Sequence, residues 1–164
     1  MKCHVIAIGH KMPDWVDSGY QEYAKRMPRE MPVSLLEIKP EKRTSGKTIE
    51  QLLHAEHLRI RAALPVDCRT IVLDERGDLW TSEKLAITLQ QWAFDTVPIA
   101  FIIGSADGLH AEIKNNADAM LALSRLTLPH GLVRVLLAEQ LYRASTIIKG
   151  HPYHRSSQQF VLGG

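Results

Sequence analysis

Residues 97–108, VPIAFIIGSADG, give the clearest indication of the fold of this 164-residue chain. The apolar run 97–103 is typical of a strand buried in a parallel sheet between two layers of helices. Gly104 ends this strand, and Gly108 follows four residues later. Glycines let a backbone approach a ligand or adopt positive φ, so the loop is a candidate binding loop. A plain turn explains it equally well, because it matches neither the dinucleotide-binding nor the Walker glycine pattern.

Outward from this loop, predicted strands and helices alternate. Apolar runs predict further strands at residues 2–9, 32–38, 69–74 and 119–123. Helical spacing predicts helices at residues 13–27, 48–64, 81–94, 109–116 and 132–149. We expect Thr48 and either Thr81 or Ser82 to begin helices, Gly150 to end the last one, and residues 75–77 to end the third strand. This order predicts one α/β domain with a mainly parallel sheet covered on both faces.

Ligands of parallel sheets bind beyond the carboxyl ends of the strands. The loops expected there are residues 9–10, 74–77, 104–108 and 124–131. Residues 123–134, LSRLTLPHGLVR, combine apolar and hydroxyl side chains in a segment that Pro129 keeps from forming one long helix. Such a loop suits an adenine-type ligand, held between apolar side chains and bonded by backbone groups. A buried connector is the alternative interpretation.

The segment after the last predicted helix, residues 151–155, reads HPYHR. Histidine titrates near neutral pH, arginine binds phosphate and tyrosine can stack on a base. A loose terminal tail is an equally good interpretation.

Charge and composition restrict the function less sharply. The net charge is +2, but five basic residues and one acid follow from Arg125 to the end, which suits an anionic partner such as RNA or simply a solvated helix face. The two cysteines favour free thiols over a disulfide framework. No apolar run is long enough for a signal peptide or membrane span, so we expect a cytoplasmic protein.

His54 and His57 lie three residues apart without further ligands nearby in sequence, so no metal site is predicted. The three tryptophans are expected in the core or an interface.

Residues 9–15, GHKMPDW, and residues 126–155, LTLPHGLVRVLLAEQLYRASTIIKGHPYHR, resemble the RlmH family of ribosomal RNA methyltransferases within the SPOUT superfamily. The resemblance implies a Rossmann-like sheet with a carboxyl-terminal trefoil knot, spanning residues 1–155 as one domain, with residues 156–164 as an extension. It implies a homodimer that binds S-adenosylmethionine. The cofactor-binding residues it implies are Leu73, Gly104, Leu123, Ser124, Arg125, Leu126, Thr127 and Leu128.

The substrate that the resemblance implies is a pseudouridine in 23S ribosomal RNA, methylated at N3 on the assembled 70S ribosome. From residue chemistry, His154 is the candidate proton acceptor, Arg155 the candidate for binding phosphate or developing negative charge, and Tyr153 the residue that stacks on or orients the base. Further phosphate contacts are expected from Lys39, Lys42, Arg43, Lys47, Arg134 and Arg143.

Two residues depart from the family pattern. Ser105 stands where the family usually has glycine, and would cost roughly 1 kcal/mol if the site needs positive φ. Ser145 stands in place of a usual tryptophan in the last helix. These departures and the extension leave two alternatives open, namely a ribosome-binding assembly factor that has lost catalysis and a SPOUT methyltransferase with another RNA substrate.

Overall fold

The computed structural model describes residues 1–9, 11–44 and 46–154. The strands in these ranges are β1 (Cys3–Ile8), β2 (Val33–Ile38), β3 (Arg69–Leu79), β4 (Ile99–Ile103) and β5 (Ala119–Ala122). The helices are α1 (Asp14–Ala24), α2 (Ile49–Ala63), α3 (Ser82–Ala93), α4 (Ala111–Asn116) and α5 (His130–Lys149). The predicted order of strands and helices is therefore confirmed, with most boundaries shifted by one to three residues.

The strands form one sheet in the order β2-β1-β4-β3-β5. Every neighbouring pair in it is parallel. The prediction of a mainly parallel sheet is thus confirmed. Parallel strands need crossovers, and here each crossover contains a helix. All strands consequently end at the same edge, where their following loops meet.

Alternate residues of the central strands bury opposite faces of this sheet. On one face Val5, Phe101 and Ile103 pack with Leu89 of α3 and Leu137 of α5 in a single buried cluster. On the other face, a second cluster joins residues of β1, β3 and β4 to α2 and α4, namely Ile6, Ile8, Val72, Ala100, Ile102, Ile60 and Ile113. The sheet is covered on both sides, as the apolar run at residues 97–103 predicts.

Helix ends follow the predicted signals. The Thr48 side chain accepts a hydrogen bond from the Gln51 N–H, and the Gln51 side chain accepts one from the Thr48 N–H, which is a complete capping box. Thr81, rather than Ser82, caps α3 by accepting from the Lys84 N–H. Gly150 ends α5 with a φ of 71°, in the left-handed region that glycine adopts at little cost.

The third strand differs from its prediction, because residues 75–77 do not end it. β3 continues to Leu79, and both Leu73 and Asp78 lie opposite Leu121 of β5. Gly77 makes this possible, since a Cβ there would lie 2.6 Å from the Met120 carbonyl oxygen. The polar triplet is thus an irregularity within a longer strand, at which the register between β3 and β5 shifts.

The three tryptophans differ in burial. Trp80 and Trp92 are partly buried against the core cluster of α3 and α5, which confirms a core position for both. Trp15 is 57% exposed in the single chain, so it is not a core residue, and its place in an interface stays a prediction. No helix in the described ranges combines the length and apolar character needed to cross a bilayer.

Candidate functional site

Residues 73–76, in the irregular part of β3, and the loops that follow β4 and β5 meet around a cavity of about 460 Å³. This volume lies within the range of small-molecule binding pockets, roughly 300–1,000 Å³. Seven of the eight expected cofactor-binding residues line it, namely Leu73, Gly104, Leu123, Ser124, Leu126, Thr127 and Leu128. Arg125 is not among the lining residues, because its Nη1 instead donates to the Glu75 carbonyl oxygen at 2.6 Å.

The segment after β5 is hydrogen-bonded to Glu75, in the irregular part of β3. Thr127 Oγ1 donates to Glu75 Oε2 at 2.7 Å, beside the bond from Arg125 to the Glu75 backbone. Within the segment, Ser124 Oγ accepts from the Leu126 N–H at 2.9 Å. Glu75 therefore joins two of the three segments that form the pocket. Its hydrogen bonds also fix the position of residues 123–128, whose leucines line the cavity.

The loop after β4 depends on its two glycines. A Cβ on Gly104 would lie 2.6 Å from the Gly108 carbonyl oxygen and 2.7 Å from Leu109 Cγ, so no larger residue fits without movement. Gly108 has a φ of 86°, which favours glycine. Its N–H donates to the Ser105 carbonyl oxygen at 2.9 Å and closes a tight turn.

Ser105 is not strained, which corrects the expectation attached to this departure from the family pattern. Its φ is not positive, since the non-glycine residues with positive φ in the described ranges are Lys11, Asp67 and Thr96. Ser105 Oγ instead donates to Oε1 of the buried Glu56 at 3.2 Å. The hydroxyl thus ties the pocket loop to α2, a contact that glycine cannot make.

Acidic and basic side chains surround the apolar part of the pocket. Lining residues include Asp74, Glu75, Asp107, Lys114 and His130. Burial alone would raise the pKa of Asp74, but the Arg76 N–H and the Lys114 ammonium, 3.2 Å away, outweigh it and lower that pKa. Asp74 is therefore an anion at neutral pH.

Three histidines, which we call the low-pKa histidines (His4, His57 and His130), have a pKa below the ordinary 6.5. Burial is the main cause in each case, because it disfavours the charged ring. For His130, the nearby Arg134 lowers the pKa further, while a hydrogen bond to the Gly104 carbonyl oxygen acts in the opposite direction. His130 therefore contributes a neutral ring to the pocket at neutral pH.

The basic loop before α2 reaches the pocket loop. Arg43 Nε donates to Asp107 Oδ2 at 2.9 Å, and its Nη2 donates to Ser105 Oγ at 3.4 Å. Lys39 and Lys42 are exposed, as a phosphate-binding surface requires. These three predicted phosphate contacts thus lie on a loop joined to the candidate cofactor loop.

Arg134 cannot contact phosphate in this structure, so that prediction is wrong. Its side chain is 1% exposed and donates to Glu37 Oε2 at 2.8 Å and to the Gly9 carbonyl oxygen at 3.4 Å. Arg143 is also partly buried, with Nε donating to Glu139 Oε1 at 2.9 Å. Both arginine side chains therefore form hydrogen bonds inside the protein, within α5 or to segments that pack against it.

The carboxyl-terminal candidates lie away from the pocket of their own chain. Tyr153 packs on the last half of α5, where its hydroxyl donates to Glu139 Oε1 at 3.3 Å and the Arg143 guanidinium lies 5.0 Å from its ring centre. His154 is half-buried, and neither residue lines the pocket. Arg155 lies outside the described residues. α5 begins at the pocket with His130 and has 20 residues, so its far end is about 30 Å away.

A protein-family model described as "Predicted SPOUT methyltransferase" matches residues 1–154. The chain belongs to the SPOUT methyltransferase family. A protein of Nitrosospira multiformis named ribosomal RNA large subunit methyltransferase H is 63% identical over 156 residues, covering 95% of this chain and 100% of the relative. A protein of the same name from Paraburkholderia xenovorans is 57% identical, covering 94% of this chain and 99% of the relative. The predicted resemblance to that group of methyltransferases is confirmed.

Solved structures support the SPOUT fold. A putative methylase family protein from Neisseria gonorrhoeae is similar with a TM-score of 0.54, 12% identity and coverage of 86% of this chain and 81% of that one. A probable methylase family protein from Haemophilus influenzae has a TM-score of 0.55, 13% identity and coverage of 93% and 69%. At these identities the likeness concerns the fold alone.

Several lining residues of this SPOUT pocket were not predicted individually. Asp74, Glu75 and Asp107 lie in loops that the strand-end rule already places at the site. Lys114 and Val133 lie on helices, and nothing in their local sequence distinguishes them from ordinary surface and core residues. Their position follows only from how α4 and α5 approach the sheet edge.

Proposed function

We propose that this SPOUT methyltransferase transfers a methyl group from S-adenosylmethionine to N3 of a pseudouridine in 23S ribosomal RNA of the assembled 70S ribosome. One observation carries the proposal. Seven of the eight residues expected to hold the cofactor line one cavity, where the irregular part of β3 meets the loops that follow β4 and β5. The relatives named ribosomal RNA large subunit methyltransferase H support the choice of RNA.

The pocket suits the chemistry of this cofactor. S-adenosylmethionine supplies, when bound, a methyl group already activated by a sulfonium. The leucines of the wall offer apolar surface for an adenine ring, while backbone groups of the loop after β5 can bond its edge. Asp74, Glu75 and Asp107 supply negative charge for the cationic part. The residues present thus fit both ends of the ligand.

The length of α5 favours a homodimer. Tyr153 and His154 lie about 30 Å along this helix from the pocket of their own chain. We infer that the tail of a second copy completes each pocket. The exposed Trp15 on α1, which packs beside α5, suits the surface between the copies.

Within such a site, the tail residues would act on the base. His154 accepts the N3 proton, so that nitrogen attacks as its more nucleophilic anion. Arg155 binds phosphate or the developing negative charge. Tyr153 orients the base as a neutral phenol, because burial and the nearby Glu139 raise its pKa to about 12. Lys39 and Lys42 contribute phosphate contacts that position the RNA.

We also propose that the carboxyl-terminal third is threaded as a trefoil knot. The irregularity in β3, where Leu73 and Asp78 both lie opposite Leu121, supports a loop through which the segment after β5 passes. The bonds from Arg125 and Thr127 to Glu75 would then hold that segment in place.

Labelled-methyl transfer tests the proposal directly. Full-length protein with labelled S-adenosylmethionine should modify 70S ribosomes from cells lacking this gene, and mass spectrometry should place the label at N3 of a pseudouridine in 23S RNA. Ribosomes from cells carrying the gene are the matched control and should accept little label. Transfer to bulk transfer RNA instead would support another RNA substrate and contradict the proposal.

An assembly factor without catalysis remains the alternative that calorimetry can separate. Ser105 no longer supports this alternative, because its backbone is unstrained and its hydroxyl is bonded to Glu56. Heat of binding with S-adenosylmethionine supports the methyltransferase, whereas no binding by folded protein favours the assembly factor.

A further inference from the structure

A cluster of histidines lies outside the pocket, on the face of the sheet that α2 and α4 cover. His54 and His57 belong to α2, and His110 is the N-cap of α4. The ring centres of His57 and His110 are 5.1 Å apart with the rings stacked, and those of His54 and His110 are 5.6 Å apart. Local sequence around His54 and His57 predicts no further ligand, but folding brings His110 beside them.

Two carboxylates face this cluster. Glu112 Oε2 lies 3.0 Å from His57 Nε2, and Glu50 Oε1 lies 2.7 Å from His110 Nε2. One possible ligand atom from each of His57, His110 and Glu112 lies within 4.8 Å of the others. In a tetrahedral zinc site with bonds of about 2.0–2.1 Å, ligand atoms lie roughly 3.4 Å apart. Side-chain rotations that move these atoms by about 1 Å would satisfy that geometry.

We propose that His57, His110 and Glu112 bind a divalent transition-metal ion of the Zn²⁺ class, with His54 as the fourth ligand. Two or three imidazoles with one carboxylate are a donor set that zinc commonly takes. Glu50 must then release His110 Nε2, and its exposed side chain can turn into solvent. This site is separate from the methyl-transfer pocket, and its ion takes no part in that reaction.

The states of the histidines suit this role. His57 is 3% exposed, and burial lowers its pKa, so its ring is neutral at neutral pH and keeps a lone pair for a metal. His110 must give up two contacts. Coordination through Nε2 displaces Glu50 from that atom, and it moves a proton to Nδ1, which otherwise accepts from the Glu112 N–H. The exposed side chains of His54 and Glu112 leave an open path for the ion.

An ion here would join α2 to the start of α4. His110 follows directly after Gly108 and Leu109, so the linked segment continues from the pocket loop. Because the unfolded chain does not hold these ligands together, binding should stabilise the folded protein by an amount that rises with the logarithm of the ion's free concentration.

Metal titration of the full chain tests the proposal. Protein stripped with EDTA and dialysed should bind one Zn²⁺ per chain by calorimetry, with a higher thermal midpoint. Co²⁺ should give the intense visible absorption of a tetrahedral site. Glu112→Gln and His57→Asn should each weaken Zn²⁺ binding by more than about 100-fold, beyond the 10–100-fold typical of residues around ligands.

A matched control separates this site from general histidine affinity. His4→Asn changes another half-buried histidine, on β1, and should leave Zn²⁺ affinity unchanged. Circular dichroism of each variant without metal checks folding, and Glu112→Gln changes an exposed side chain without leaving a cavity in the core. Zn²⁺ binding that survives both cluster substitutions, an octahedral Co²⁺ spectrum, or no binding by the folded wild type would overturn the proposal.

Discussion

Gly104→Ala is the sharpest test of how the pocket loop is built. The added Cβ would lie 2.6 Å from the Gly108 carbonyl oxygen, whereas ordinary contacts lie at 3.4–4 Å. The loop must therefore move by about 0.8 Å, the difference between 3.4 and 2.6 Å. Overpacking of this kind costs about 1–3 kcal/mol. In the free protein the loop can relax into the cavity, so most of this cost appears when the cofactor requires the native loop.

The corresponding loss of affinity follows from that cost. Since about 1.4 kcal/mol is tenfold in a binding constant, S-adenosylmethionine should bind about 5- to 150-fold more weakly to Gly104→Ala. Calorimetry on the folded variant measures this loss, and circular dichroism checks the fold. The variant should also need correspondingly more cofactor in the methyl-transfer assay.

Gly108→Ala is the matched control from the same loop. A Cβ there meets nothing within 4 Å, but the φ of 86° strains any other residue, at about 1–2 kcal/mol. This strain is present with and without cofactor, so stability should fall while affinity changes little. The reasoning fails if Gly104→Ala binds within twofold of wild type, or if both variants lose the same affinity.

Three further outcomes are expected. The low-pKa histidines have a pKa below 6.5 in the folded protein. The unfolded chain therefore binds protons more readily, so the free energy of unfolding is highest above pH 6.5 and decreases as the pH falls from 6.5 through the folded pKa. Urea unfolding should therefore give a smaller free energy at about pH 5.5 than at about pH 7.5, and equal values would contradict the shifts. His154→Gln should cut methyl transfer at least about 100-fold while leaving cofactor affinity nearly unchanged, and equal loss of both would exclude its role as proton acceptor. Glu37→Gln removes the carboxylate beside the buried Arg134 and should lower the free energy of unfolding in urea by about 1–3 kcal/mol. The control is Glu22→Gln, in the exposed pair with Arg26, which should lower it by less than about 1 kcal/mol. Equal losses of stability in the two variants would show that burial of Arg134 does not strengthen its ion pair.

The fold could be predicted because each element carries its own local signal. A strand buried on both faces appears as a continuous apolar run, and Thr48 with Gln51 marks a helix start over four residues. The end of β3 could not be predicted from a local signal of this kind. Its last residues pair with β5, and the close approach of Gly77 to Met120 depends on two segments that are distant in sequence.

The site shows the same division between local and distant signals. The strand-end rule places the three pocket loops together without any knowledge of their contacts. Arg134 was misplaced because its partner Glu37 comes from β2, 97 residues away, and charge alone suggests an exposed side chain. The grouping of His57 with His110 was missed for the same reason, since these residues belong to different helices.

The central place of β1 in the sheet has a consequence for synthesis of the chain. β1 pairs on one side with β2, but its other neighbour is β4, at residues 99–103. At about 5–20 residues per second, a ribosome takes about 5–20 s between these two strands. One edge of β1 keeps its backbone N–H and C=O groups unpaired for that time, so rapid overproduction should favour aggregation of nascent chains. Slower synthesis at lower temperature should raise the soluble yield.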